Sequence, residues 1–300
     1  MAIQNSLQKS KGNQRLGITA YLTGDAVKNQ INQVVGGKNG QRFISAIVSA
    51  VNTNPTLQEC TNQSILSGAL LGESLKLSPS PQLGHYYLVP FNDKNKGKVA
   101  QFQMGYKGYI QLAIRSGQYK KINVIAVKEG ELEYFDPLNE EIKINMMIDK
   151  WDEREAAPTI GYYAMFELVN GFRKAIYWSK AQMEAHALKY SPGYKKDRRD
   201  GSNHTFWSKD FDGMAYKTML RQLISKWGIM SIDMQSAIDA DMAVINEDGS
   251  KDYVDNDDSI IDAEPPQSAE PQPEPRQEAE KKPETTQQPT DAQMALFGNK

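Results

Sequence analysis

The chain lacks the features that would indicate a membrane protein or a secreted, disulfide-bonded one. Its apolar runs at residues 43–51 and 64–71 are much shorter than the roughly 18 residues that cross a bilayer. Residues 1–15 contain no apolar segment of the kind found in secretory signals. Cys60 is the single cysteine, so no disulfide can form within the chain. We therefore expect a protein of a reducing cytoplasm that does not contact a membrane.

The usual signatures of an ATPase or a metal enzyme are also missing. Two Gly-Lys pairs occur, but Val99 and Asn39 follow them where a P-loop needs Ser or Thr. The three histidines have no metal-ligand spacing and are expected to be surface or structural residues: His85, His186 and His204. No catalytic residue, metal site or cofactor is predicted, and magnesium is expected at most to modulate binding of a ligand.

One weak enzymatic pattern remains open as an alternative. Asp136, followed by Glu141 and Lys143, resembles the carboxylates and lysine of a magnesium-dependent nuclease. The spacing is short and the pattern is common, so a nuclease stays a minor hypothesis.

Charge is distributed unevenly along the chain. Residues 246–300 contain 14 acidic and 5 basic side chains, which leaves 30 basic and 23 acidic ones in residues 1–245. A basic body with an acidic tail suits an acidic partner such as a nucleic acid. The alternative is an ordinary solvated surface with a solubilising tail.

Composition divides the chain into four parts. Residues 1–20 are predicted to be flexible, and residues 21–245 to form the folded core. Residues 246–290 are rich in Pro, Gln and Glu with few large apolar side chains, too few to offset chain entropy, and this linker is predicted to be disordered. Residues 291–300 are predicted to be a C-terminal partner-binding peptide.

Within the core, apolar periodicity predicts an α+β fold with an N-terminal helical lobe and a mainly antiparallel sheet packed against helices. Helices are predicted over about residues 25–35, 41–51, 64–77, 106–116, 180–190, 211–227 and 231–244. Strands are predicted in the aromatic and apolar runs at residues 83–91, 99–104, 122–135, 141–147, 159–169 and 172–179, the first two forming a hairpin. Residues 191–205 are predicted to be a basic loop.

Residues 101–119 read QFQMGYKGYIQLAIRSGQY, and the helix predicted there has a polar stripe. Lys107, Gln111 and Arg115 recur every four residues, about 6 Å apart along the axis. Such a ridge could contact successive phosphates of an extended strand, helped by the helix N-terminus. The alternative is an amphipathic helix whose polar side faces only water.

The two Gly-Tyr pairs around Lys107 admit separate interpretations. Gly105 and Gly108 are expected to let a nucleic-acid strand approach the backbone. Tyr106 and Tyr109 are expected mostly to anchor the helix in the core.

A second basic and aromatic region follows in the sequence. Lys217 and Arg221 share one edge of the predicted long helix, and Lys226 lies on the opposite edge. Cations interleaved with rings suit a single strand, whose phosphates need charge and whose unpaired bases can stack. The basic loop and the residues just after it supply further candidates of this kind: Lys195, Lys196, Arg198, Arg199 and Trp207. The alternative is that this loop is only a flexible, solvent-exposed segment.

These segments resemble the RecT family of phage and prophage single-strand annealing proteins. The resemblance rests on LGHYYLVPF, AQFQMGYKGYIQLAIRSGQYKKINVIAVKEGEL and FDGMAYKTMLRQLISKWGIMS, in that order, and covers roughly residues 21–244. It implies ATP-independent binding of single-stranded DNA, assembly into rings or filaments, and pairing with a complementary strand to give annealed duplex. It also implies a partner exonuclease and the cytoplasm of a bacterial host.

The resemblance implies residue roles as well. Lys107 and Arg115 would contact phosphates, with Gln103 and Gln111 as hydrogen-bond partners. Lys217, Arg221 and Lys226 are further candidates, one of which could instead serve a subunit interface or an internal ion pair. The basic loop fits the family less closely. The turn at residues 92–98 is longer than the family leads us to expect, which would alter a hairpin edge that meets a neighbouring subunit.

The C-terminus contains one more recognisable peptide. Gln293, Leu296 and Phe297 resemble the Gln-x-x-Leu-Phe peptide that docks into the bacterial sliding clamp, with the acidic linker as a tether. A chance match or contact with the host single-strand binding protein are the alternatives. For the whole chain, the competing functions are an annealing protein, a passive single-strand coat and a nuclease.

Overall fold

The computed structural model describes residues 17–93 and 96–252. The predictions for residues 1–16, for residues 253–290 and for the C-terminal peptide lie outside the described residues. The first described helix, α1 (Ile18–Thr23), begins inside the segment predicted to be flexible.

The N-terminal part is a helical lobe, as predicted. After α1 come α2 (Asp25–Val35), α3 (Gly37–Thr53), a 3-10 turn (Pro55–Glu59) and α4 (Asn62–Ser74). Gly36 separates α2 from α3 at φ 80°, a conformation that only glycine adopts without strain. Ile31 and Ile47 are fully buried where these helices meet.

The predicted hairpin follows as β1 (Tyr86–Asp93) and β2 (Gly97–Met104), paired antiparallel with Tyr86 opposite Met104. It packs against α4 so closely that a Cβ on Gly72 would lie 2.3 Å from the Tyr86 ring. The hydroxyl of Tyr86 is buried and has no hydrogen-bond partner among the described residues.

The central sheet has three antiparallel strands in the order β3, β6, β7: β3 (Tyr119–Lys128), β6 (Thr159–Leu168) and β7 (Arg173–Ser179). Gly171 has φ 88° in the tight turn predicted between the last two. A separate hairpin of β4 (Leu132–Asp136) and β5 (Glu141–Ile144) precedes the short helix α6 (Trp151–Ala156). The run predicted as one strand divides into β3 and β4 because the chain turns at Gly130, φ 85°.

Helices pack against this sheet and against one another. They are α5 (Tyr106–Arg115), α7 (Lys180–Tyr190), α8 (Pro192–Asp200), α9 (Phe206–Lys209), α10 (Phe211–Trp227) and α11 (Ile232–Ala240). Helix α10 has the predicted bounds because Asp210 caps its N-terminus by accepting from the backbone N–H of Gly213 at 3.0 Å. Its buried face, which includes Leu220 and Leu223, contributes to the hydrophobic core.

Two further predicted elements differ from the structure. Residues 191–205 contain helix α8 rather than only a loop, because Ser191 caps it, Pro192 occupies its first turn and Gly201 ends it at φ 66°. The last predicted helix stops at Ala240, and the chain continues as a short strand, β8 (Val244–Ile245), paired with β9 (Lys251–Asp252). Strand β9 therefore lies within the segment assigned to the linker.

No helix among residues 17–93 and 96–252 is long and apolar enough to cross a membrane.

Candidate nucleic-acid interface

Helix α5 is pressed against the backbone that precedes β1. The backbone N–H of Gly105 donates to the carbonyl of His85 at 2.9 Å. A Cβ on Gly105 would lie 2.1 Å from the carbonyl oxygen of Gly84, and one on Gly108 would lie 2.1 Å from that of His85. The two glycines are therefore required by a backbone crossing inside the protein. From the sequence, these glycines were expected to let DNA approach the backbone. The structure gives them this structural role instead.

The tyrosines of the same segment point into the protein, as predicted. Tyr109 is fully buried, and its hydroxyl donates to Oδ2 of Asp241 at 3.1 Å. Burial, followed by the nearby Asp241 carboxylate, raises the pKa of Tyr109. Tyr106 meets the ring of Tyr216 edge-on, with 5.4 Å between centroids. These contacts fix which side of α5 faces outward.

The outward side carries the predicted polar stripe. Lys107 and Arg115 are exposed, and Gln111 between them is half-buried. Burial first, then the charges of Arg115 and Lys107, lowers the pKa of the His85 imidazole. Among the described residues, no carboxylate lies within ion-pair distance of Lys107 or Arg115. We call His85, Lys107 and Arg115 the α5 basic edge.

Arg115 also has a structural role that the sequence did not indicate. Its guanidinium donates to the carbonyl of Leu75 at 2.7 Å and to that of Lys76 at 3.2 Å. These carbonyls follow the last turn of α4, where backbone acceptors lack helical partners and a cation is favourable. Contact between Arg115 and phosphate remains a prediction, and any phosphate has to share the side chain with α4.

Gln103 is half-buried at the end of β2, next to α5. Its amide Nε2 donates to Oε1 of Gln101 at 2.6 Å, and Gln101 in turn donates to the carbonyl of Met242 at 2.5 Å. The Gln103 side chain is therefore oriented by the protein, and its contact with DNA remains a prediction.

A buried carboxylate, Asp241, joins α10 to the start of α5. It accepts from Lys217 Nζ at 2.8 Å, from Arg221 Nη1 at 3.3 Å and from the backbone N–H of Met104 at 2.9 Å. The side chain of Lys217 is 7% exposed, so it cannot reach DNA in this structure. It forms an internal ion pair instead, which was the alternative role for one of the three α10 cations. Burial lowers the pKa of Lys217, and the adjacent Asp241 opposes that shift.

Arg221 remains accessible, with 38% of its side chain exposed. Lys217, Asp241 and Arg221 together carry two positive charges and one negative charge, so this cluster contributes positive charge at the exposed end of Arg221. Burial first, then Arg221 and Lys189, lowers the pKa of His186. His186 packs between the rings of Trp178 and Tyr190, at centroid distances of 5.3 and 4.6 Å.

Lys226 is exposed near the end of α10, and its contact with DNA remains a prediction. Its Nζ lies 5.7 Å from the ring centroid of Trp227, and the Nζ of Lys174 lies 4.4 Å from the same centroid. The structure thus separates Lys226 from the buried Lys217, although one helix carries both.

The cations of α8 divide into two kinds. Arg198 pairs with Glu184 at 3.2 Å and Arg199 pairs with Asp200 at 2.8 Å. Lys195 and Lys196 are exposed and have no ion pair among the described residues. The two lysines are therefore the more available cations of this helix.

Trp207, the predicted stacking residue, is only 7% exposed. Its ring packs against those of Phe211 and Tyr194, at 5.2 and 6.1 Å between centroids. This prediction was wrong because an indole in the aromatic core has no free face to offer a base. The adjacent Phe206 is the exposed member of the pair, and no sequence pattern distinguished the two.

Two side chains of the nuclease alternative have local partners. Asp136 accepts from the backbone N–H of Leu138 at 2.8 Å within its own turn, and Lys143 pairs with Glu133 at 2.7 Å. Within the part of the chain that the structure describes, no group of three or more His, Cys, Asp or Glu side chains could hold a metal ion.

Comparison with known proteins gives consistent similarities. Residues 41–257 match the sequence profile of the RecT family. The chain is 41% identical over 274 residues to the uncharacterized protein YqaK of Bacillus subtilis (strain 168), with 88% of this chain and 87% of that protein covered. It is 28% identical over 246 residues to Protein RecT of Escherichia coli (strain K12), with 78% and 86% covered.

Proposed function

Because the chain belongs to the RecT family, the single-strand annealing proteins of DNA recombination, we propose that it binds single-stranded DNA along α5 and pairs it with a complementary strand. The activity needs no ATP and takes place on DNA in an oligomer of the chain, in the cytoplasm of a bacterial host. The protein acts as a binding protein rather than an enzyme.

The observation that supports this proposal is the un-neutralised charge of the α5 basic edge. Lys107 and Arg115 are eight residues apart on one helix, about 12 Å along its axis. That separation suits two different phosphates of one extended strand. Neither cation is offset by a carboxylate among the described residues, so both retain their attraction for an anionic backbone.

Further cations extend the positive surface beyond α5. Arg221 brings the charge of the Asp241 cluster to the surface, and Lys226, Lys195 and Lys196 are exposed on α10 and α8. We propose these four as secondary contacts. Such contacts hold the backbone without reading sequence, which suits a protein that anneals any complementary pair.

The proposed mechanism is annealing on a template. Cations hold the phosphates of the first strand and leave base edges free for an incoming strand to test. Only a complementary strand gains the full stacking and hydrogen bonding of a duplex, which stays on the same surface as annealed product. Since each phosphate contact releases counterions, binding weakens steeply as salt rises. Magnesium would act through the same competition for phosphate.

The test is annealing of two complementary oligonucleotides, one carrying a fluorophore and the other a quencher, in the absence of ATP. The proposal predicts faster quenching with the full chain than without protein. A passive coat would bind the labelled strand without accelerating pairing. Loss of full-length labelled strand on addition of magnesium would instead identify a nuclease and contradict the proposal.

We also propose two protein partners. The peptide that would bind the second of them lies outside the described residues. An exonuclease would supply single strands, and the peptide at Gln293, Leu296 and Phe297 would dock on the host sliding clamp. A synthetic peptide of residues 291–300, compared with its Leu296→Ala, Phe297→Ala variant, tests the second partner. Equal binding of both peptides to the clamp would reject it, and binding to the single-strand binding protein alone would assign that partner instead.

A further inference from the structure

Two aromatic side chains outside the predicted set meet beside the α5 basic edge. Tyr87 on β1 and Phe206, the first residue of α9, have ring centroids 5.6 Å apart and planes inclined by 38°. Phe206 is 36% exposed and Tyr87 is half-buried. A large apolar ring left partly in water, next to a buried Trp207, is not explained by core packing.

Gly84 brings this aromatic pair close to Lys107. A Cβ placed on Gly84 would lie 3.0 Å from the hydroxyl oxygen of Tyr87 and 3.4 Å from Cδ of Lys107. Both side chains therefore lie against the same glycine, which has φ 62°. The edge of the Tyr87 ring would also lie 3.2 Å from a Cβ on Gly105. Tyr87 is thus supported by backbone on two sides, with the lysine alongside.

Phe206 is presented by an ordered segment. The buried carboxylate of Asp197 accepts from the backbone N–H groups of His204 and Thr205, at 3.0 and 2.8 Å. It also accepts from the hydroxyls of Thr205 and Ser208, at 2.8 and 2.7 Å. Burial opposes ionisation of Asp197, but these hydrogen bonds prevail and hold its pKa well below the usual range. The backbone on both sides of Phe206 is therefore held in place, which lowers the entropy cost of using this residue in binding.

We propose that Tyr87 and Phe206 form a platform on which an unpaired base stacks while its phosphate lies at Lys107. The ligand is single-stranded nucleic acid, so the inference rests on the proposed function and adds a contact to the bases. Every base has a π-face, and the Phe206 ring, which has no hydrogen-bonding group, accepts all four. Phe206 is the outer ring and carries the contact, with Tyr87 supporting it from behind.

Nearby charge favours a base over the rings with the phosphate at Lys107, rather than a phosphate over the rings. Asp210 lies near the platform, since its backbone N–H donates to the carbonyl of Phe206 at 2.8 Å. After burial, its carboxylate is the next contributor that raises the pKa of Tyr87. A phosphate over the rings would meet that negative charge, whereas a neutral base does not. The backbone of the strand therefore lies toward Lys107 and the base lies over Phe206.

The experiment compares Phe206→Ala with Phe206→Tyr in the full chain, using a fluorescein-labelled oligothymidylate and an abasic strand of equal length. Phe172→Ala is the matched control, since Phe172 is 45% exposed on the turn between β6 and β7. Stacking is typically strong enough that Phe206→Ala should weaken oligothymidylate binding roughly fivefold to a hundredfold. Binding of the abasic strand should not change, and Phe206→Tyr should restore the affinity.

Three outcomes would overturn the platform. They are equal loss on both strands, no loss on oligothymidylate, and a loss explained by weaker self-association measured without DNA, which would make Phe206 a subunit contact. If Phe206→Ala fails to fold, photocrosslinking of a bromouracil strand to the wild-type chain decides the matter, and absence of adducts on residues 200–209 rejects the proposal. Failure of the wild-type chain to bind or anneal DNA would reject the proposed function itself, so the two failures are distinguishable.

Discussion

Asp241 and Lys217 form a buried ion pair, with 2.8 Å between Oδ1 and Nζ, that joins α10 to the residue that follows α11. The same carboxylate accepts from the hydroxyl of Tyr109 on α5 and from Arg221 at the surface. One side chain therefore sets the position of α10 relative to α5. The positions of the α5 basic edge and of the exposed end of Arg221 therefore both depend on Asp241.

Replacing Asp241 with Asn should destabilise the protein strongly. Lys217 would remain buried without its counter-ion, and breaking one side of such a pair typically costs about 3–5 kcal/mol. The free energy of unfolding in urea measures the effect, with Asp149→Asn on an exposed turn as control. Asp241→Asn combined with Lys217→Met should recover part of the loss. A single variant as stable as the control would show that the pair contributes little.

Reversal of one charge at Lys107 should impair DNA binding without unfolding the protein. Lys107 is exposed and makes no ion pair among the described residues, so Lys107→Glu removes attraction for phosphate and adds repulsion. We expect affinity for an oligonucleotide and the annealing rate to fall at least about tenfold at low salt. Lys150→Glu, an exposed reversal just before α6, is the control. Equal effects of both reversals would indicate general charge rather than a site at α5.

Neutralisation of the same residue gives a finer measurement. Lys107→Gln should reduce the slope of log affinity against log salt concentration by roughly 0.7, the value for one single-strand phosphate contact. An unchanged slope would place Lys107 outside the interface, even if its reversal were harmful.

Substitution of Arg115 should separate its role in stability from its proposed role in DNA binding. Arg115→Gln loses the bonds to the carbonyls of Leu75 and Lys76, and with charge-assisted hydrogen bonds we expect a loss of about 1–3 kcal/mol in the free energy of unfolding. Arg115→Lys keeps the positive charge but not the two-pronged contact, so it should retain DNA affinity better than stability. If both variants are as stable as the wild type, the tether to α4 has no energetic role.

His85 should give DNA binding a dependence on pH. Burial, then Arg115 and Lys107, lowers its pKa below the ordinary 6.5, so the imidazole is neutral at pH 7. Because the unfolded state binds the proton more readily, stability falls as the pH drops from the unfolded pKa toward the folded one. A bound phosphate favours the imidazolium, so affinity should rise over the same pH window.

The measurement is a comparison of wild type with His85→Gln between pH 7.5 and 5.5, by DNA titration and by urea unfolding at each pH. The variant should lose the extra gain in affinity on acidification and also the extra loss of stability. Parallel curves for the two proteins would exclude His85 from both effects.

Nearby residues in the sequence predicted the positions of the helices and strands well. Contacts between residues far apart in the sequence determine which side chains are buried and which are accessible. Ser179 and Asp210 cap α7 and α10, so both helices begin where the sequence placed them. By contrast, the partner of Lys217 is 24 residues away and follows another helix. Helical periodicity puts Lys217 and Arg221 on one edge and cannot show which of them is buried.

The glycines of α5 illustrate the same limit. Gly105 and Gly108 stand in a basic segment, where glycine commonly permits the approach of a phosphate, and their sequence context favours that role. The backbone that fills the space belongs to residues 84–85, about 20 residues earlier in the chain. Similarly, nothing local distinguishes the buried Trp207 from the exposed ring beside it.

The tether from Arg115 to the end of α4 has a mechanical consequence. A DNA strand under tension pulls on the side chains that hold it, and a helix transmits an axial load to whatever is fastened at its end. Here the fastened end is the N-terminal lobe, reached through the carbonyls of Leu75 and Lys76. In the proposed DNA complex, load from the strand would pass into that lobe directly, and the lobe would respond when the DNA is stretched or released.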